Sequence, residues 1–206
     1  MPRILRRNII FSGGVYHVYA RGNNHMQLFR DHADYQFYLS TIAELKVPSG
    51  VLLHHYSLMP NHLHFLLRVA GIEEFSKFMR VLQIRFAKHF ARKYEFVGHV
   101  WEGRFKSRVI ESDGDLFACG NYSEMNPVRA GLVGDPGNWP YSSYRFYAYG
   151  EPNALVDVDP LYNGLGKTAA ARQVAYRNLI SRTRMNSRSA VPGTTATDIV
   201  VPGTKG

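Results

Sequence analysis

Residues 58–69 read "LMPNHLHFLLRV". Leu63, Phe65, Leu67 and Val69 alternate with His62, His64, Leu66 and Arg68. Period-two alternation marks a strand with one face in a core. Residues two apart on a strand share a face, so His62 and His64 point the same way. They begin the strand, directly after a Met-Pro-Asn turn whose proline limits ladder pairing before it. Two imidazoles side by side on an open sheet face are able to share one metal ion. Ordinary solvated histidines would show the same spacing, so the pair by itself divides evenly between the two readings. The rest of the chain decides.

Working outward, "VYHVYARG" at 15–22 alternates and closes on glycine, which predicts a strand. Residues 31–46 carry Tyr35, Tyr38, Leu39, Ile42 and Leu45 at helical spacing and run into Pro48 and Gly50. A second strand follows over 51–59. Residues 71–95 form a long amphipathic pattern with Phe75, Phe78, Met79, Leu82, Phe86 and Phe90 as its stripe. Residues 103–112 read as a fourth strand. Residues 113–126 read as a helix, with Asp113 or Asp115 as cap and Pro127 near its end. The order β-α-β-β-α-β-α predicts an α+β fold: a ferredoxin-like antiparallel sheet with two helices on one face. The last helix is left to approach the other face, towards which His62 and His64 point. Residues 1–150 make one domain in this reading. An aromatic, turn-rich stretch follows 130, and 151–185 forms a C-terminal helical extension with one helix over 168–182. Residues 186–206, rich in Ser, Thr, Gly and Pro, read as a mobile tail.

Composition narrows the partners. The chain has 206 residues and a formal net charge of +9, so a polyanion is favoured, either nucleic acid or an anionic membrane surface. No apolar run approaches the roughly 20 residues needed to cross a bilayer, and the basic start "MPRILRRNIIFSGG" is a poor signal peptide. A single cysteine, Cys119, excludes an internal disulfide framework and fits a reducing cytoplasm.

In "CGNYSEMNPVRAGLV", 119–133, Tyr122 and Asn126 are i and i+4 on a helix and share a face. Taken singly, each has a bland reading. Thirteen tyrosines occur and an enzyme needs one, and an Asn before Pro is an ordinary helix terminator. Co-occurrence with the histidine pair in a basic chain lifts both. A divalent cation held by two imidazoles and a side-chain amide is able to polarise a scissile phosphate. His62, His64 and Asn126 form a mixed, fairly hard ligand set suited to Mg²⁺ or Mn²⁺. A phenol is a weak nucleophile that proximity and an adjacent cation activate. Its phosphotyrosine ester would store the bond energy for rejoining.

Residues 76–108 hold nine Lys or Arg, among them Arg80, Arg85, Lys88, Arg104, Lys106 and Arg108, against Glu95 and Glu102. With Arg3, Arg6 and Arg7 at the start, they form the candidate DNA-binding set. Tyr94, Phe96, Trp101 and Phe105 are interleaved; they could stack on bases, although core packing is the commoner fate.

The motifs "YHVYARGNN", "SLMPNHLHFLL", "VWEGRFKSRVI", "YSEMNPVRAGLV" and "WPYSSYRFY" stand in the order found in REP-associated tyrosine transposases. The chain resembles that family, a domesticated branch of the single-tyrosine transposases within the HUH nuclease superfamily, over residues 10–180. The resemblance implies a metal-dependent endonuclease and strand transferase acting on single-stranded hairpin DNA through a covalent 5′-phosphotyrosine. It places the metal histidines at His62 and His64 and the nucleophile at Tyr122. The wider superfamily often has glutamine as the ligand where Asn126 stands. A monomer or a homodimer is compatible with the resemblance. Two other classes fit the pattern: a non-catalytic binding module of RRM-like topology, and a metal-dependent hydrolase using activated water.

Overall fold

A computed structural model describes residues 12–188, with side chains through Ser181. The expected order of elements is present. Strands β1 (Val15–Arg21), β2 (Val51–Met59), β3 (His62–Val69) and β4 (Lys106–Ile110) form one antiparallel sheet in the order β2-β3-β1-β4. Helices α1 (His32–Lys46) and α2 (Ile72–Tyr94) supply the two crossovers of a ferredoxin-like fold. Asp31 and Asp34 close a capping box at the start of α1, which satisfies donors that the first helical turn leaves open.

Sheet register sorts the side chains into two faces. Tyr16 and Val18 of β1, Leu63, Phe65 and Leu67 of β3 and Tyr56 and Leu58 of β2 are fully or almost fully buried. They meet the α2 stripe of Phe75, Phe78, Met79, Leu82, Phe86 and Phe90 together with Tyr38 and Ile42 of α1. The opposite face carries His17 and Tyr19 of β1, His62 and His64 of β3, and His55 and Ser57 of β2. Helix α3 (Asp113–Arg129) lies across this second face.

The structure corrects several expectations. The last helix does approach the histidine face, as expected, but it closes that face: β3 is buried on both sides apart from Arg68 and the partly covered His62. Helix α3 does not end before Pro127. It runs to Arg129 with Pro127 inside, Ala130 donates to the Asn126 carbonyl, and Gly131 follows at φ +70°. The left-handed conformation after the last turn, open to glycine, is therefore the stop signal. The fourth strand is five residues long and begins at Lys106. The turn-rich stretch contains a short helix, α4 (Tyr144–Tyr149), and the last helix, α5, extends over Ala169–Arg188. The remainder of the 186–206 tail lies outside the described residues, as do Arg3, Arg6 and Arg7.

The stretch beyond 139 also guards the outer edge of β2. Leu58 N–H donates to Tyr141 O at 2.9 Å, Ser143 N–H to Tyr56 O at 3.0 Å, and Asp157 N–H to Leu53 O at 2.8 Å. An edge strand left bare would invite pairing with another chain. A second, smaller core of Met125, Tyr144, Tyr147, Tyr162, Tyr176 and Ile180 joins α3, α4 and α5. Among the described residues no helix is long and apolar enough to cross a membrane.

Phe86 touches Phe29, Tyr38 and Trp101 with ring centroids at 5.1, 5.1 and 5.7 Å. Phe86→Ala should cost about 3–5 kcal/mol through lost burial and a cavity that rigid neighbours cannot close. Urea unfolding monitored by circular dichroism measures it.

Candidate active site

The Met-Pro-Asn turn sets the histidine pair chemically as well as spatially. Asn61 Oδ1 lies 2.6 Å from His62 Nδ1, and the Asn61 amide nitrogen faces the His25 carbonyl at 3.4 Å. Asn61 therefore accepts from His62 Nδ1–H, and the ring presents Nε2 elsewhere. His64 Nδ1 lies 3.0 Å from His17 Nε2, and the two rings stack at 5.2 Å between centroids. With His64 as donor, its Nε2 is likewise the nitrogen available to a ligand. A partner on one imidazole nitrogen selects which nitrogen can bind metal.

His62 and His64 are 5.1 Å apart between centroids, ring edge to ring face. Tyr19 packs against both, at 5.6 and 5.2 Å. From the other side α3 brings Tyr122 to within 6.0 Å of His64, again edge to face. Arg129, two turns further along α3, lays its guanidinium 4.5 Å above the Tyr122 ring. Asn126 lies one turn from Tyr122 and is buried, and its Nδ2 has no hydrogen-bond partner. A half-turn of that amide exchanges nitrogen for oxygen at almost constant shape. Ala130 and Leu132, just past α3, line a shallow hollow with Met59 and His62. The end of α3 thus reaches the first of the two histidines.

Among the described residues no three His, Cys, Asp or Glu form a metal cage. The available donors are two imidazoles with their Nδ1 atoms engaged and one buried amide whose nitrogen lacks a partner. That set fits a divalent ion that takes its remaining ligands from phosphate oxygens and water.

The candidate basic residues divide. Lys106 and Arg108 pair with Tyr19 and His17 across the β1–β4 ladder, which puts them on the histidine face. Arg104 is exposed just before β4. Arg80, Arg85 and Lys88 project from α2, in the layer on the far side of the sheet, and Arg85 pairs with Glu44 at 2.5 Å. Phe105 is core, and Tyr94, Phe96 and Trp101 pack against it. Since α3 covers the second face, no open platform remains there for base stacking of the RRM kind.

Sequence reading missed His17, Asn61 and Arg129. His17 stands at an alternating polar position of "VYHVYAR", but only the β1–β3 register makes it a neighbour of His64.

Fold and site together define a basic ferredoxin-like protein whose sheet carries a histidine pair beneath a tyrosine-bearing helix. The chain belongs to the family described as "Transposase IS200 like", a family of enzymes, whose model matches residues 11–124. It is similar to the REP-associated tyrosine transposase of Escherichia coli (strain K12), 24% identical over 141 residues, 68% of this chain and 81% of that protein. It is 28% identical over 99 residues to a putative REP-associated tyrosine transposase of Haemophilus influenzae (strain ATCC 51907 / DSM 11121 / KW20 / Rd), covering 43% of this chain and 56% of that protein. Among solved structures, a REP-associated tyrosine transposase bound to a REP hairpin superposes with a TM-score of 0.58. The two are 23% identical, and the match covers 77% of this chain and 93% of that one. Likeness at that identity carries the fold.

Burial lowers the pKa of His62 to about 4, with Arg21 and His25 adding to the effect, and that of His17 to about 4, with Arg108 adding. His64 is pushed down by burial and by both neighbouring histidines. A histidine whose folded pKa lies below its unfolded value contributes stability above about pH 6.5 that is lost as pH falls towards 4. The melting temperature of the metal-free protein should therefore drop over that interval, and His62→Gln should make the drop shallower. Calorimetric scans at half-unit steps of pH read the difference.

Proposed function

We propose that this protein is a metal-dependent endonuclease and strand transferase for single-stranded hairpin DNA, with Tyr122 as its nucleophile. The observation that carries the reading is the convergence of Tyr122 from α3 onto His64 from β3, on a face shared with His62 and His17. The named relatives, and the REP hairpin bound to the superposed transposase, support hairpin DNA as the partner.

In this reading His62 and His64, through Nε2, and Asn126, through its amide oxygen, hold Mg²⁺ or Mn²⁺. When bound, the ion supplies Lewis-acid polarisation of the scissile phosphate. Asn61 and His17, by engaging Nδ1 of the two imidazoles, would leave their Nε2 atoms for such an ion. The Tyr122 oxygen attacks phosphorus and its proton passes to solvent. The bond from phosphorus to the 3′-oxygen breaks, and that oxygen leaves as a 3′-hydroxyl after taking up a proton. The 5′-phosphate is then esterified to Tyr122. A second 3′-hydroxyl attacks the same phosphorus, restores a phosphodiester and frees the phenol. Arg129 backs the ring and adds positive charge beside the incoming phosphate. Lys106 and Arg108 extend the positive rim across β4, where phosphate contacts would orient the strand.

Two substitutions separate this mechanism from a hydrolase using activated water. Tyr122→Phe removes one hydroxyl and keeps the ring. It should bind a hairpin with single-stranded flanks like the wild type and form no protein–DNA adduct on a denaturing gel, where the wild type with Mn²⁺ gives a band of raised mass. An adduct that persists in Tyr122→Phe, or wild-type cleavage that leaves both product ends free, would refute the assignment.

His64→Ala should leave hairpin affinity within about twofold, because affinity rests on distributed phosphate and base contacts. It should abolish adduct formation and weaken Mn²⁺ binding measured by calorimetry without DNA. Cleavage at the wild-type rate would remove His64 from the metal set.

A further inference from the structure

We propose that the buried cluster of His55, Glu124 and Asp159, completed by Tyr176 of α5, is the positioning device for Tyr122. The inference rests on Tyr122 being the nucleophile. It adds that residues well beyond the matched 11–124 stretch set that nucleophile's aim.

Glu124 follows Tyr122 by two residues, so the two side chains leave α3 about 200° apart. One flank of the helix carries the nucleophile; the other carries a carboxylate in the interior. Glu124 is fully buried, and three donors converge on it. His55 Nδ1–H donates to Oε1 at 3.0 Å, the Ser143 hydroxyl to Oε1 at 2.5 Å, and the Tyr176 hydroxyl to Oε2 at 2.6 Å. These donors come from β2, from the segment before α4 and from α5. Asp159 holds the other side of His55, accepting from Nε2–H at 3.1 Å, and is itself fixed by Leu161 N–H at 2.8 Å.

A helix lying on a sheet keeps two freedoms, rotation about its axis and sliding along it. On the Tyr122 flank the contacts are between ring faces and a guanidinium, none of which sets a direction as a short charged hydrogen bond does. On the Glu124 flank three directional bonds meet on one carboxylate. Rotation is therefore decided at Glu124 and read out at Tyr122. Sliding is limited at Gly120, one turn before Glu124. A Cβ there would stand 3.1 Å from His55 Nε2, so the α3 backbone rests on the imidazole itself. That ring also stacks on Tyr147 at 4.5 Å.

A well-packed apolar cluster would stabilise the fold as well as these buried charges do. Directional bonds provide a single setting of α3, and a reacting oxygen misplaced by about 1 Å costs on the order of a hundredfold in rate.

The test uses the full chain with 3-fluorotyrosine at position 122, read by ¹⁹F NMR without DNA, in the wild type, in Tyr176→Phe and in Glu124→Gln. A wild-type line that is narrow, and that shifts or splits in both variants, is the expected result. With saturating hairpin and Mn²⁺, single-turnover adduct formation should fall about tenfold or more in Tyr176→Phe while hairpin affinity stays within about twofold. An unmoved fluorine line, or an unchanged adduct rate, overturns the proposal. So does a matching disturbance of a control 3-fluorotyrosine at position 38, in the main core, because that would mean general loosening. If the wild type forms no adduct at all, the nuclease reading fails, and the fluorine line still decides whether this cluster sets Tyr122.

Discussion

The arrangement depends on one interaction, the seating of α3 against the second face of the sheet through the buried Glu124 carboxylate. Taking a carboxylate out of water is costly unless donors replace its hydration. Here His55, Ser143 and Tyr176 replace it, so the same contact that buries the charge joins β2, the segment before α4 and α5 to the tyrosine helix. Burial by itself opposes a charge on His55, but the hydrogen bonds to Asp159 and Glu124 outweigh it and raise the pKa to about 9. An imidazolium with a carboxylate on each nitrogen is the state that satisfies all three groups at neutral pH.

The sheet therefore carries histidines in two electrostatic settings. His55 lies between carboxylates and is drawn towards the charged form. His17, His62 and His64 are held neutral first by burial, and then by one another and by Arg21 and Arg108 nearby. Neutral imidazole is the form that binds metal. On the same face of the sheet Glu124 and Asp159 are both engaged by His55, and at the end of β1 Glu102 pairs with Arg21 at 2.5 Å.

Local pattern carried much of the fold. Alternation in β1 and β3, the six-residue apolar stripe of α2 and the turn residues after α1 reproduce the observed elements, and their order implies the β2-β3-β1-β4 sheet. The errors fall where tertiary structure overrides a local signal. Pro127 reads as a stop, yet a proline near the end of a helix removes only one internal bond, and with Asn126 and Pro127 buried the helix continues for almost another turn. Alternation in "HLHFLLRV" suggests one wet face, yet α3 covers it, because a polar face remains coverable when its partner supplies matching donors and acceptors.

By itself, the sequence determined that His62 and His64 share a face, that Tyr122 and Asn126 share a helix flank, and that the chain is basic. Those are consequences of strand and helix periods, which need no knowledge of distant residues. Only the tertiary structure decided that His17 and Asn61 stand against the Nδ1 atoms of the two imidazoles, that Arg129 covers Tyr122, and that Lys106 and Arg108, not the α2 residues, border the histidines. Each of these depends on which strands pair, in what register, and on which side of the sheet a helix lies. Such choices are made by the whole core at once, as the apolar face of the sheet takes α1 and α2 and leaves the histidine face to α3.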